Sequence, residues 1–136
     1  RLVRNQVQVE VQIEPSCPKV QADADQMNQV LINLIMNALH AMPEGGSLRI
    51  GMASSDGMVK LTVADTGHGI PRDVLAKVFD PFFTTKEFGK GTGLGLTVVK
   101  GIIEEHQGLI SADSEEGKGT TFTILLPVHK PAGSRV

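Results

Sequence analysis

The run Gln26-Met27-Asn28-Gln29-Val30-Leu31-Ile32-Asn33-Leu34-Ile35-Met36-Asn37-Ala38-Leu39-His40-Ala41-Met42 decides the fold. Met27, Val30, Leu31, Leu34, Ala38 and Met42 recur mainly at steps of three and four, which lays them along one face of an α-helix. Asp23 or Asp25 can cap its start, and Pro43 with the Gly45-Gly46 pair stops it. Before it, Val7, Val9, Val11 and Ile13 alternate with Gln8, Glu10 and Gln12, the period of a half-buried strand, ended by Pro15 and Pro18. After it, two strands are expected over about Ser47–Ala53 and Met58–Ala64, joined by a turn at Ser55-Asp56-Gly57. Asp65 to Leu96 is irregular: it holds Pro71, Pro81 and six of the fifteen glycines. A second helix is expected from Thr92 or Gly93 to His106, with Leu94, Val98, Val99, Ile102 and Ile103 apolar and Gly108 ending it. Leu109–Ala112 and Thr120–Leu126 read as a closing hairpin. Strands with segregated helices predict an α+β fold, one mixed sheet with helices on one face.

Composition narrows the class. A length of 136 residues gives one domain, expected over 1–127, with a loose tail at 128–136. A net charge of -2 gives no electrostatic reason for a nucleic-acid or acidic-lipid partner. The single Cys17 makes no internal disulfide and no paired metal or redox motif, in keeping with a reducing compartment. The longest apolar run, Val30 to Met36, is broken by Asn33, so no membrane span is expected. No signal peptide is visible, and the chain starts without Met, so it reads as a piece of a longer protein.

Four motifs could carry chemistry. Gln29, Asn33 and Asn37 stand four residues apart and form one row on the first helix, turning by about 40° per step. His40 lies on the same row. The helix is apolar on its other sides, through Ile32, Ile35, Met36 and Leu39, so these amides need partners. Amide oxygens suit a hard cation such as Mg²⁺; the plainer alternative is a polar stripe facing solvent or a neighbouring loop. Asp65-Thr66-Gly67-His68-Gly69-Ile70-Pro71 follows a strand. An aspartate fixed at a strand end can accept a hydrogen bond from an amine such as that of adenine, beside glycines that admit a planar ring. An ordinary turn would look much the same.

Val78-Phe79-Asp80-Pro81-Phe82-Phe83-Thr84-Thr85-Lys86 packs three of the chain's five phenylalanines into five residues. It reads as a lid whose rings anchor it, as a satellite apolar cluster under a loop, or as both at once. Gly89-Lys90-Gly91-Thr92-Gly93-Leu94-Gly95-Leu96 opens the second helix. Unpaired N–H groups and a partial positive charge there favour phosphate, helped by Lys86 and Lys90. The spacing matches neither the G-x-x-x-x-G-K-[ST] loop nor the dinucleotide fingerprint.

In this order, the motifs resemble the catalytic domain of sensor histidine kinases, in the ATPase superfamily that includes DNA gyrase, MutL and heat-shock chaperones. Asn33-Leu34-Ile35-Met36-Asn37-Ala38 matches the N box and Asp65 to Gly69 the first G box. Phe79-Asp80-Pro81-Phe82-Phe83 matches the F box, and Gly91-Thr92-Gly93-Leu94-Gly95-Leu96 the second G box. Gly117-Lys118-Gly119-Thr120-Thr121-Phe122 fits the closing strand. The Phe-Phe-Thr-Thr-Lys and Asn-Ala-Leu-His-Ala-Met strings look most like the nitrogen-regulation kinases. The resemblance covers about Val7 to Pro127.

It implies a Bergerat-type fold, a two-layer α/β sandwich of about five strands and three helices. It implies ATP and Mg²⁺ as ligands, with Asn37 on the metal and Asn33 assisting at the metal and phosphates. Asp65 would take the adenine amine, with Thr120 or Thr121 nearby. Gly67 and Gly69 would make room for the nucleotide, and Gly91 to Leu96 would meet the phosphates, with Lys86 a phosphate contact. Many relatives carry Lys or Arg where His40 stands. The expected partner is a helical dimerisation and phosphoacceptor domain of the same cytoplasmic or membrane-anchored parent, with a response regulator reached indirectly. His40, His68, His106 and His129 lack the acceptor-box context, so the chain is expected to bind ATP without phosphorylating itself. A gyrase-type hydrolytic ATPase would place a Glu base where Asn33 stands, and an amide cannot be that base. A binding module without catalysis is the third reading.

Overall fold

The computed structural model describes residues 6–18, 20–80 and 93–128, with the backbone alone at 93 and 94. Strand β1 (Val7–Ile13) leads through helix α1 (Ala24–His40) to β2 (Gly46–Ser55) and β3 (Met58–Asp65). A single-turn helix α2 (Arg72–Leu75), helix α3 (Gly93–Glu105) and strands β4 (Leu109–Glu115) and β5 (Gly119–Pro127) follow. The sheet runs β1-β2-β3-β5-β4; β1 pairs with β2 in parallel and the remaining neighbours are antiparallel. This is the expected mixed five-stranded sheet of an α+β sandwich.

Local chemistry explains the element ends. Asp23 caps α1 by accepting the Gln26 amide at 2.9 Å, which selects it over Asp25. The β2–β3 turn closes through Asp56 and Gly57, both at positive φ (51° and 80°), the two-residue hairpin geometry that matches strand twist. At the end of α3 the left-handed residue is Gln107 (φ 63°), one position before the expected Gly108. The stretch read as irregular also contains the single turn of α2, which four residues are too few to reveal by periodicity.

The core lies between the helices and one sheet face. Val30, Leu34 and Ala38 of α1 and Val99, Ile102 and Ile103 of α3 pack on Leu48, Leu61, Val63, Phe122, Ile124 and Leu126. Alternation along β3 and β5 sends these sheet residues to the helix side.

Two expectations about burial fail. β1 was expected to be half-buried, yet Val9, Val11 and Ile13 are 60, 56 and 59 % exposed. β1 is an edge strand, and among its described residues only Val7 is packed against the core. The second concerns α1, whose amides were expected to need partners on an apolar helix: of its other sides, Ile32, Met36 and Leu39 are exposed to water. Its apolar content therefore exceeds what the sheet can cover.

Candidate nucleotide-binding site

The site starts from strand alternation. Along β3 the helix-facing positions are Val59, Leu61 and Val63, all buried, and the next is Asp65. Along β5 they are Leu126, Ile124 and Phe122, and the next is Thr120. Along β4 they are Ile110 and Ala112, and the next is Ser114. Register places these three polar residues side by side, Asp65 opposite Thr120 and Thr120 opposite Ser114. Three apolar strand faces thus turn polar in one row at one end of the sheet.

Hydrogen bonds tie that row together. Asp65 Oδ1 accepts the Gly67 amide at 2.8 Å and the Thr120 amide at 3.3 Å. Neither bond uses Oδ2. Ser114 Oγ lies 2.7 Å from the Ile70 amide nitrogen, 2.9 Å from Gly119 O and 2.9 Å from Thr120 Oγ1. Burial, the largest influence, pushes the Asp65 carboxyl above its ordinary range. The Gly67 and Thr120 amides and the nearby His68 pull it back down.

The loop after Asp65 is wedged between α1 and the β4–β5 hairpin. His68 donates its amide to Ala41 O at 3.0 Å, and its own carbonyl accepts the Gly117 amide at 2.8 Å. A Cβ on Gly67 would lie 2.3 Å from Ala41 O, so only glycine lets the loop pass the end of α1. Gly69 adopts φ +78°, and a Cβ there would meet Glu115 O at 2.3 Å. The first glycine box is thereby packed against the C-terminal end of the asparagine helix.

On that helix Asn33, Asn37 and His40 are half-buried, whereas Gln29 is exposed. Asn33 Nδ2 donates to Gly95 O at 3.2 Å, joining α1 to the first turn of α3. This spends the amide nitrogen and leaves Oδ1 as a hard oxygen donor, a fit for Mg²⁺. His40 Nδ1 is buried without a hydrogen-bond partner among the described residues, an atom that gains from a polar ligand or water.

Phe79 shows the satellite-cluster reading of the F box for one ring, a reading compatible with the lid. It meets Phe122 edge to face, centroids 6.2 Å apart at 73°, with Lys100 Nζ 5.9 Å from its centroid. The Thr97 hydroxyl, on α3, lies 3.1 Å from Asp80 O. The start of the F box is therefore a satellite of the core.

The structure brings Asp65, Gly67, Gly69 and Thr120 together, and Asn33 to Gly95. Leu96 is half-buried against the core. Thr121, one residue past Thr120, belongs to the opposite sheet face and pairs with Ala64 and Asp113. Gly91, Thr92, Lys86, Lys90, Phe82, Phe83 and the tail from 129 lie outside the described residues, as does the side chain of Leu94, while Gly93 is described as backbone. Ser114 was missed in the sequence. Its signal was a serine at a core-facing position of β4, legible only once that strand is extended past Ala112.

Known proteins share this fold. The family described as histidine kinase-, DNA gyrase B-, and HSP90-like ATPase matches residues 22–130. Sensor kinase CckA of Brucella abortus is 46 % identical over 142 residues, covering 93 % of this chain and 15 % of that protein. Sensor histidine kinase ZraS of Escherichia coli K12 is 44 % identical over 124 residues, covering 91 % of this chain and 26 % of its own length. The chain thus spans about a quarter or less of these two relatives. The catalytic domain of histidine kinase ThkA superposes with a TM-score of 0.80 at 35 % identity, covering 91 % of this chain and 80 % of that one. A second ThkA structure, at 31 % identity, TM-score 0.74 and 90 % and 34 % coverage, holds that kinase with the response regulator protein TrrA. A polar row on a mixed sheet, a glycine loop against an asparagine helix, and these matches give one answer: the chain belongs to the ATP-binding catalytic domains of sensor histidine kinases.

Proposed function

We propose that this domain holds Mg²⁺·ATP and presents the γ-phosphate to a histidine on a separate helical dimerisation domain of its parent protein. The observation that carries the reading is the division of labour at Asp65. Oδ1 is held by two backbone amides, so the carboxylate is fixed and Oδ2 is left to accept from the adenine amine. Thr120 stands beside it. Asn37 and Asn33 supply oxygens for Mg²⁺, which would neutralise phosphate charge when bound. Gly91, Gly93 and Gly95 and the start of α3 receive the phosphates, with Lys86 as an added contact. The domain's own contribution is positioning and charge neutralisation, as in other phosphoryl transfers.

The carboxylate pattern argues against steady hydrolysis. The acid within α1 is Asp25, exposed in the first turn, and the Asn33–Asn37 row carries amides that cannot deprotonate water. A response regulator receives the phosphoryl group downstream, as suits a relative of ThkA, and use of ATP places the domain on the cytoplasmic side. No helix among the described residues is long and apolar enough to cross a membrane.

The test is incubation with γ-labelled ATP and Mg²⁺, with and without a helical acceptor domain from a related kinase. Label is expected on the acceptor alone. Label on this chain by itself, or ATP turnover with no acceptor present, would overturn the reading.

A further inference from the structure

We propose that Ser114 is a specificity-determining positioning residue: it locks the Thr120 hydroxyl as a hydrogen-bond acceptor, so the site selects a purine with a 6-amino group over one with a 6-oxo group. The inference rests on the adenine reading of Asp65 and deepens it.

The argument is proton accounting. A serine hydroxyl has one proton to give and two lone pairs to fill. Ser114 Oγ has three neighbours within hydrogen-bond distance. The Ile70 amide can only donate, so it fills one lone pair. Gly119 O can only accept, so it takes the Ser114 proton. The contact left, to Thr120 Oγ1, then requires that Thr120 donate. In the reverse assignment, Ser114 would donate to Thr120 and sit 2.9 Å from a carbonyl oxygen with no proton between them. Only the first assignment satisfies all three contacts.

The consequence falls on Thr120. With its proton turned toward Ser114, its hydroxyl offers only lone pairs to anything else. Thr120 stands opposite Asp65, whose carboxylate is also an acceptor. A ligand edge placed against this pair meets two acceptors. An exocyclic amine carries two N–H donors and suits them; a carbonyl oxygen at the same position meets like partial charge. Burial sharpens the contrast, because an unmatched acceptor cannot turn to water.

The experiment measures the affinities of ADP and IDP, which differ at purine position 6 and its protonated neighbour, by calorimetry. Ser114→Ala frees the Thr120 hydroxyl to rotate and donate. We expect ADP binding to weaken about fivefold, the scale of one hydrogen bond. IDP should weaken less or gain, so the ADP-to-IDP preference collapses by a similar factor. Ser114→Thr keeps the hydroxyl and should restore the preference. A merely structural role would weaken both ligands equally, and that result, or an unchanged ratio, overturns the proposal. If Ser114→Ala does not fold, Thr120→Val removes the polarised hydroxyl itself, and an unchanged ratio there overturns it equally. Asp65→Asn is the control: ADP affinity unchanged in that variant sinks the adenine reading as a whole, whereas lost affinity there with an unchanged ratio in Ser114→Ala sinks only the role of Ser114.

Discussion

The two ends of the site are built by different means. The end proposed for adenine is a row across three strands, with Asp65, Thr120 and Ser114 in register and joined by hydrogen bonds of 2.9 and 3.3 Å. The end proposed for Mg²⁺ is a row along one helix, Asn33 and Asn37 with His40 beyond them, tied to α3 by the bond from Asn33 to Gly95. A sheet fixes side chains from three strands at once, so the base-reading groups hold their geometry before any ligand arrives. A helix row offers donors at one-turn spacing, and their orientation depends on what lies across from them. On the proposed reading, specificity for the base lies in the sheet, while the phosphate end rests on a contact between separate helices.

The hardest blow to this contrast is Gly69→Ala. It demands a left-handed alanine and puts a methyl group 2.3 Å from Glu115 O, inside the loop that separates the two ends. A loss on the order of 3 kcal/mol is expected in urea unfolding; wild-type stability would show that the wedge is soft.

Asp65→Asn comes next and should separate binding from stability. Losing a hydrogen bond to a charged acceptor weakens ATP by about 1.5–3 kcal/mol. The empty domain should instead melt at a higher temperature, because burial is what raises the Asp65 carboxyl above its ordinary range. A raised carboxyl favours the protonated fold: its contribution is greatest below the ordinary carboxylate range and is lost as pH rises through the raised value. Binding runs the other way, since the amine needs the carboxylate, so wild-type ATP affinity should fall as pH drops through that value. A flat affinity profile, or a lower melting temperature for Asp65→Asn, would break the link.

Asn33→Ala probes the helix end. It removes the bond to Gly95 O, with an expected cost of about 0.5–1.5 kcal/mol in stability and a weaker response of ATP binding to Mg²⁺. An unaltered Mg²⁺ response would detach Asn33 from the metal. The smallest effect is expected from Lys100→Met, which removes a partly exposed cation 5.9 Å from the Phe79 ring. A loss of about 0.5–1 kcal/mol of stability in urea unfolding is expected, with nucleotide affinity unchanged.

Much of this was legible in the residues because short-range rules govern it. The three-and-four spacing of Val30, Leu34 and Ala38 marked the buried face of α1, and Asp56-Gly57 marked its hairpin. The Asp65 box was legible as a strand end followed by glycines. The exposed face of β1 was not legible, because alternation shows which side chains share a face and says nothing about whether a helix covers it. Ser114 was hidden for a related reason: its meaning comes from register with Thr120, a relation between strands that no single-strand pattern contains. Thr120 and Thr121 could not be told apart until the phase of β5 was fixed by Phe122, Ile124 and Leu126.

The bare margin of β1 bears on how the domain behaves in the test tube. A strand that has no neighbour on its outer edge among the described residues, and whose side chains Val9, Val11 and Ile13 are exposed, is a template for another strand. Crowding of the isolated domain in concentrated stocks should therefore begin at this rim, two strands across from Asp65 in the order β1-β2-β3.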